Sequence, residues 1–319
     1  MNSVLVTGAY GFVGAAYCAH LARAGVPYIG AVRARARDET RDEIKEVGDF
    51  VHADWAMVLE NAGVDCVVHL AARAHRIEGA VAEARTAYRR ENVNATDRLL
   101  EAARLAGARR FVFTSSVKVH GESTPPGVIL RESDPIAPEG EYAHSKALAE
   151  ERVQDFGREL GMETVTLRLP LVYGPGAKAN FAELAAAVRA RRVLPFGGVR
   201  NQRSLLGVSN LCAAIDAART QQRAAGETFF VSDGEDVSTP ELVRAIADAF
   251  EVRPRLWTLP PWLLLLVATL AGRRDAARRL LESFAVDSAR IRRTLQWSPP
   301  LTLAEELERL AAELRRKSS

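Results

Sequence analysis

The chain has 319 residues, of which 48% are apolar and 26% charged, and its net charge is +3. This is the composition of a folded globular protein, and it excludes disordered and fibrous classes. The slight excess of arginine is scattered rather than gathered in a block, so a small anionic ligand is expected and nucleic acid is not.

Cys18, Cys66 and Cys212 are far apart and form no CxxC, and the six histidines show no HExxH or similar spacing. Neither a disulfide framework nor a metal site is expected. A first strand beginning almost at Met1 leaves no room for a signal peptide, which points to the reducing cytoplasm.

Val4–Thr7 is the first predicted strand, and it breaks at Gly8. Gly11 and Gly14 follow at spacings of three, and a helical pattern then starts with Ala15, Ala16, Cys18, Ala19 and Leu21. Glycines in a strand-to-helix turn let backbone approach a pyrophosphate, and the helix start offers free N–H groups and the positive dipole end. Further strands are predicted at Tyr28–Val32, Asp49–Ala53, Cys66–Ala71, Phe111–Ser115 and Thr164–Leu169. Helices are predicted between them, notably Asn92–Leu105, with Val93, Thr96, Leu99, Leu100 and Ala103 at helical spacing, and Tyr142–Leu160. Strands alternating with helices imply right-handed crossovers, and hence an α/β fold with a Rossmann-type, doubly wound parallel sheet.

Past Pro170 the rhythm changes, with loop chemistry at Gly174-Pro175-Gly176 and Pro195-Phe196-Gly197-Gly198. Helices are expected at Phe181–Arg192, at Pro240–Phe250 with Ser238 or Thr239 as cap, and at Leu303–Leu314 with Thr302 as cap; Phe229–Val231 reads as a strand. The expected division is a dinucleotide-binding domain over 1–169, rejoined by 201–232, and a smaller substrate domain from 170–200 and 233–319. Trp262–Ala271 (WLLLLVATLA) is strongly apolar but far shorter than the roughly 20 residues that cross a bilayer. No integral membrane segment is expected, and this stretch reads as a buried or subunit-facing helix. Arg273, Arg274, Arg278 and Arg279 follow it and keep attachment to an anionic surface as a secondary reading.

Tyr142-Ala143-His144-Ser145-Lys146 carries the second signal. Positions i and i+4 of a helix share a face, so the ammonium is expected beside the phenol, lowering its pKa and fitting it for proton transfer at a carbonyl or alcohol. Ser116 follows a predicted strand, where a doubly wound sheet binds its ligands, and its hydroxyl can hydrogen-bond the same substrate oxygen.

Over essentially its whole length the sequence resembles the extended short-chain dehydrogenase/reductases that act on nucleotide sugars. The likeness rests on Thr7–Gly14, Asp54-Trp55, His69–Ala72, Thr114-Ser115-Ser116, Tyr142–Lys146 and Arg168–Gly176. It implies that Tyr142 is the acid/base, that Lys146 contacts the nicotinamide ribose, and that Ser116 holds the sugar oxygen. It places Gly8, Tyr10, Gly11, Phe12, Val13 and Gly14 at the cofactor's pyrophosphate, Asp54 at adenine, and Leu70, Ala71 and Ala72 along its middle. Thr114, Pro170 and Val172 are cofactor-side by the same likeness, and Asn92 steadies the site. On the substrate side it places Arg73, Val117 and Lys118 near the sugar, Asn180, Phe181 and Arg203 at the diphosphate, and Pro195 and Phe196 at the base.

After the second strand, where an acidic residue reads a ribose 2′-hydroxyl, the chain has Arg33-Ala34-Arg35. Arginines there suit a 2′-phosphate, so NADP(H) is favoured, with NAD(H) the alternative. Ser116-Val117-Lys118 lacks the acidic pair of sugar-nucleotide dehydratases, and Lys118 stands where 4-epimerases place a small hydroxyl. The likeness is nearest to reductases that reduce UDP-2-acetamido-2,6-dideoxy-4-ketohexose in bacterial surface-polysaccharide pathways, such as O-antigen and lipopolysaccharide biosynthesis, with a 4-epimerase as the first alternative and a non-catalytic dinucleotide-sensing protein on the same fold as the second. It also implies a homodimer through helices such as Thr96–Ala106 and Tyr142–Gln154.

Overall fold

The computed structural model describes residues 3–60, 62–74, 81–272 and 274–316. The central sheet takes β1 (Ser3–Thr7), β2 (Tyr28–Val32), β3 (Ile44–Glu46), β4 (Val64–His69) and β5 (Arg110–Ser116) from the first third of the chain. After the short β6 (Ile129–Leu130) come β7 (Glu163–Leu169), β8 (Leu171–Tyr173), β9 (Val193–Leu194), β10 (Leu205–Gly207) and β11 (Thr228–Phe230); β12 (Arg255–Leu256) and β13 (Ala285–Val286) complete the set. The order β11-β7-β5-β4-β1-β2-β3 is parallel throughout, and its direction of winding reverses between β1 and β4. The crevice at such a reversal is where an open α/β sheet receives its ligand.

Alternation along the strands divides the core. Val4, Val6, Val68 and Val112 pack with Tyr17, Cys18 and Leu21 of α1 (Phe12–Arg23) on one face. The opposite face joins Leu5, Val67, Phe111 and Phe113 to α2 (Trp55–Leu59), α4 (Ala95–Leu105) and α5 (Gly140–Leu160), with α3 (Val81–Tyr88) beside them. The five positions expected to face inward on the Asn92–Leu105 helix are all buried. That helix begins differently, however. Residues Arg89–Asn94 form a π turn that links α3 to α4.

Past α6 (Ala179–Arg189), α7 (Val208–Thr220) joins Leu211 and Ile215 to the α1 side, and β11 extends the sheet edge. A separate cluster forms where α6 meets α8 (Thr239–Ala249) and α12 (Leu303–Arg316), through Phe181, Leu184, Val243, Ile246, Leu307 and Leu310. Ser238 caps α8 in a capping box with Glu241, and Thr302 accepts the Glu305 N–H at the start of α12. Helices α9 (Pro261–Leu270), α10 (Arg274–Leu281) and α11 (Ala289–Leu295) lie between them, α9 packing against α10.

One expectation fails and a second is narrowed. Asp49–Ala53 is not a strand; the edge strand is Ile44–Glu46, and Phe50 instead stacks on Trp55 at 5.6 Å to plug the sheet margin. Of the two settings expected for Trp262–Ala271, burial within the chain is excluded, because no residue of α9 falls below intermediate exposure, and the subunit-facing setting remains. Arg273, from the basic run after it, lies outside the described residues.

Candidate active site

The glycine turn is built by close contact. Gly8 has φ +71°, and a Cβ there would come within 3.0 Å of the Ala71 Cα. A Cβ on Gly14 would stand 2.1 Å from the Gly8 carbonyl oxygen, so only glycine lets α1 begin this near β1. Gly11 is the N-cap, and no side chain caps the helix. The first N–H groups of α1 therefore point from the carboxyl end of the sheet without a side-chain partner. This cradle fits the pyrophosphate of a dinucleotide.

A buried chain of hydrogen bonds fixes the adjoining loop. Thr96 Oγ1 donates to the Asn92 carbonyl, so it accepts from His69 Nε2–H at 3.0 Å; His69 Nδ1 then accepts from Thr7 Oγ1 at 2.7 Å. Thr7 Oγ1 in turn accepts the N–H groups of Leu70 and Ala71. Burial drives His69 down to about 3, with Lys146's charge acting the same way, so the imidazole stays neutral and holds one tautomer. Thr114 Oγ1 donates to the His69 carbonyl, tying β5 to the same loop. His69 and Thr96 were not singled out as a pair in the sequence, since they meet only through the sheet.

Asn92 sits in the π turn, 2% exposed. Its Oδ1 accepts the Arg73 N–H at 2.7 Å, and its Nδ2 donates to the Arg73 carbonyl and to Ser145 Oγ. Ser145 Oγ donates to the Tyr142 carbonyl. The amide thereby ties the loop after β4 to the helix that carries Tyr142 and Lys146. One extra residue in the turn aims this side chain, a common use of π bulges.

Tyr142 and Lys146 reach the site from one face of α5, and Ser116 reaches it from the end of β5. Ser116 Oγ also accepts the Lys118 N–H at 3.2 Å, capping a short turn over Val117–His120. Burial pushes the Tyr142 phenol up to about 12, partly offset by its hydrogen bond with Ser116. This corrects the expectation of a phenol lowered by the ammonium. Lys146 is 3% exposed with Nζ 4.0 Å from the centroid of Phe113, and it shifts the opposite way, pushed down to about 7 by burial against the opposing pull of Glu150. Glu150 in turn holds Arg168, whose Nη1 donates to His120 Nε2 at 2.9 Å. Glu150 was missed in the sequence, although its place four residues after Lys146 on one helix was a usable signal.

The other expected residues are held by local partners. Arg33 and Arg73 both pair with Glu91, another residue the sequence reading passed over. Burial would raise Glu91, but hydrogen bonds from the two arginines hold it below the usual carboxylate range. Arg35 donates to the Arg41 carbonyl, and Tyr10 donates to Glu39. Asp54 Oδ1 accepts the Met57 N–H as the cap of α2. Lys118 is engaged with both oxygens of Glu122, at 2.7 and 2.6 Å.

From Ser116 and Tyr142 a cleft of about 1430 Å³ opens towards the C-terminal part of the chain. Its wall includes Val117, Lys118, Pro170, Val172, Asn180, Phe181, Pro195, Phe196 and Arg203. Arg203 donates to the carbonyls of Arg279 and Glu282, and burial together with the charge of Arg279 pushes it down to about 10. Two guanidinium groups close together beside a cleft form a receptor for an anion.

Residues 4–232 match the NAD dependent epimerase/dehydratase family. A UDP-glucose 4-epimerase of Vibrio cholerae is 38% identical over 312 residues, covering 97% of this chain and 94% of its own length. A dTDP-glucose 4,6-dehydratase of Streptomyces griseus is 30% identical over 323 residues, covering 95% and 91%. Among solved structures, MoeE5 in complex with UDP-glucose and NAD superposes with a TM-score of 0.78 over the whole of both chains at 25% identity. With the sheet order, the glycine turn and the Ser116–Tyr142–Lys146 constellation in place, the chain belongs to the NAD dependent epimerase/dehydratase family.

Proposed function

We propose that the protein is a nucleotide-sugar 4-ketoreductase, reducing the C4 ketone of a UDP-linked 4-keto-6-deoxy-N-acetylhexosamine with NADPH. The observation that carries this reading is that Ser116 and Tyr142, which hydrogen-bond each other, line one cleft together with Arg203 and Arg279, with Lys146 buried one turn after Tyr142 on the same helix. Gly8, Gly11 and the N-terminus of α1 would hold the pyrophosphate, with Leu70, Ala71 and Ala72 along the middle and Arg33 and Arg35 at a 2′-phosphate. When bound, the reduced nicotinamide supplies the hydride that C4 receives. As the carbonyl electron pair moves to oxygen, Ser116 donates a hydrogen bond to it and Tyr142 transfers its phenolic proton, leaving the alcohol. A phenol that stays protonated through the neutral range suits this direction, because ketone reduction begins by giving a proton. Arg203 and Arg279 would take the diphosphate, with Asn180 and Phe181 beside it and Pro195-Phe196 at the base.

A second reading, a UDP-sugar 4-epimerase that keeps NAD bound, uses the same three residues. The Vibrio cholerae relative named as such favours it. The deciding assay mixes the protein with NADPH and UDP-4-keto-6-deoxy-N-acetylglucosamine and follows nicotinamide absorbance. Consumption of NADPH, lost at least about a hundredfold in Tyr142→Phe with NADPH affinity retained, is the expected result. Interconversion of UDP-N-acetylglucosamine and its C4 epimer without NADPH consumption would replace the reductase reading with the epimerase.

A further inference from the structure

Helix α9 carries two apolar ridges, and only one of them belongs to the cleft. Leu263, Leu264, Val267 and Ala268 line the cleft wall. Trp262, Leu266 and Leu270, spaced four apart, form a second ridge and are 68%, 49% and 82% exposed. Trp257, just ahead of the helix, is 62% exposed. Single exposed apolar side chains are ordinary, but a continuous ridge of this kind marks a contact surface. Basic charges predominate around it, the nearest acidic residues in sequence being Glu251 and Asp275 at its two borders. From Val252 to Arg274 the sequence has no aspartate or glutamate, and Arg253, Arg255 and Arg274 are exposed at the ends of that stretch. Strand β9, which pairs with β12, is preceded by exposed Arg191 and Arg192.

We propose that this ridge docks on the surface of an anionic lipid bilayer. At ten residues α9 is about 15 Å long, half the hydrocarbon thickness, so it lies along the interface rather than across it. Trp257 and Trp262 are the residue type that settles at headgroup level, Leu266 and Leu270 meet the acyl boundary, and the arginines meet lipid phosphate. A second copy of the chain suits the surface less well. A two-fold contact sets a patch against itself, and here it would bring arginines together with no carboxylate in the stretch to receive them. The docking does not depend on the proposed reaction.

Flotation with mixed phosphatidylglycerol–phosphatidylcholine vesicles, against phosphatidylcholine alone, tests it without any substrate. Each arginine near an anionic surface strengthens binding about fivefold, so at least a tenfold preference for the mixed vesicles is expected, fading as salt is added. Trp55 and Trp297 are 4% and 7% exposed, so a blue shift of tryptophan emission on adding vesicles reports on Trp257 and Trp262. The triple variant Trp262→Ser/Leu266→Ser/Leu270→Ser should lose binding about tenfold or more while its thermal unfolding midpoint stays put. If that variant fails to fold, flotation and the emission shift of the native chain still decide. Absence of vesicle binding, equal binding to both compositions, or a dimer that the triple variant abolishes without any vesicle association would overturn the proposal.

Discussion

Lys146 follows Tyr142 by one turn of α5 with its ammonium over Phe113, and burial brings its ionisation down to about 7. In the proposed reaction a protonated Lys146 would stabilise the negative charge that grows on the substrate oxygen, and the neutral amine would not. Ketone reduction should therefore fall as pH rises through about 7, while Tyr142, held near 12, contributes no ionisation in that window. The Glu150 carboxylate opposes the effect of burial, so Glu150→Gln should move the midpoint of the pH–rate profile to lower pH. A role limited to holding Arg168 would lower the rate and leave the midpoint where it was. At this scale the sequence was partly readable. Helical spacing gives the shared face of Tyr142 and Lys146, but the direction in which each pKa moves depends on the burial of both, to which other elements contribute, Phe113 lying under Lys146.

The glycine turn works because β1 and α1 approach more closely than any side chain allows. Gly14→Ala places a methyl group 2.1 Å from the Gly8 carbonyl oxygen and 2.8 Å from its carbon, both backbone atoms. Unfolding in urea should show a loss of about 1–3 kcal/mol, the usual cost of overpacking, with weaker dinucleotide binding in parallel. Elements with a long apolar period were legible: β1, β2, β5, β7 and the buried face of α4 follow from their residues. The edge strand Ile44–Glu46 was not, since it buries only Ile44 and its other two residues are charged. Asp49–Ala53 imitates a strand because Phe50 is apolar, yet that ring packs on Trp55. In α9 the apolar run itself was visible, but an unbroken run has no period that says which side will be left outside.

At the scale of the whole molecule, the C-terminal helix returns to the mouth of the sheet carrying a carboxyl group with nowhere favourable to go. Glu306 is 0% exposed, and burial together with nearby Asp233 raises it above the usual carboxylate range, Ser209 giving part of that back. Asp233 is itself raised by burial, despite hydrogen bonds from Asn210, Gly207 and Tyr173. A carboxyl raised in the folded state stabilises fully below its unfolded pKa and loses that contribution as pH rises through the folded value. Glu306→Gln should consequently raise Tm at pH 7, and the gain should shrink towards pH 4, as the native carboxyl takes up its proton; calorimetry at the two pH values checks this. This pairing of α12 with the loop after β11 joins residues 73 positions apart, a distance over which one sequence carries no signal.

The π turn at Arg89–Asn94 has a consequence for how such chains vary. Each residue of an α-helix advances the direction of its side chain by about 100°, so one residue removed between Tyr88 and Ala95 would swing Asn92 away from Arg73 and Ser145 without changing the character of the segment. Chain length there is under as much constraint as residue identity. A deletion should therefore be tolerated less well at this spot than in any exposed loop of the same chain, and a relative lacking that residue must brace its catalytic helix from a different position.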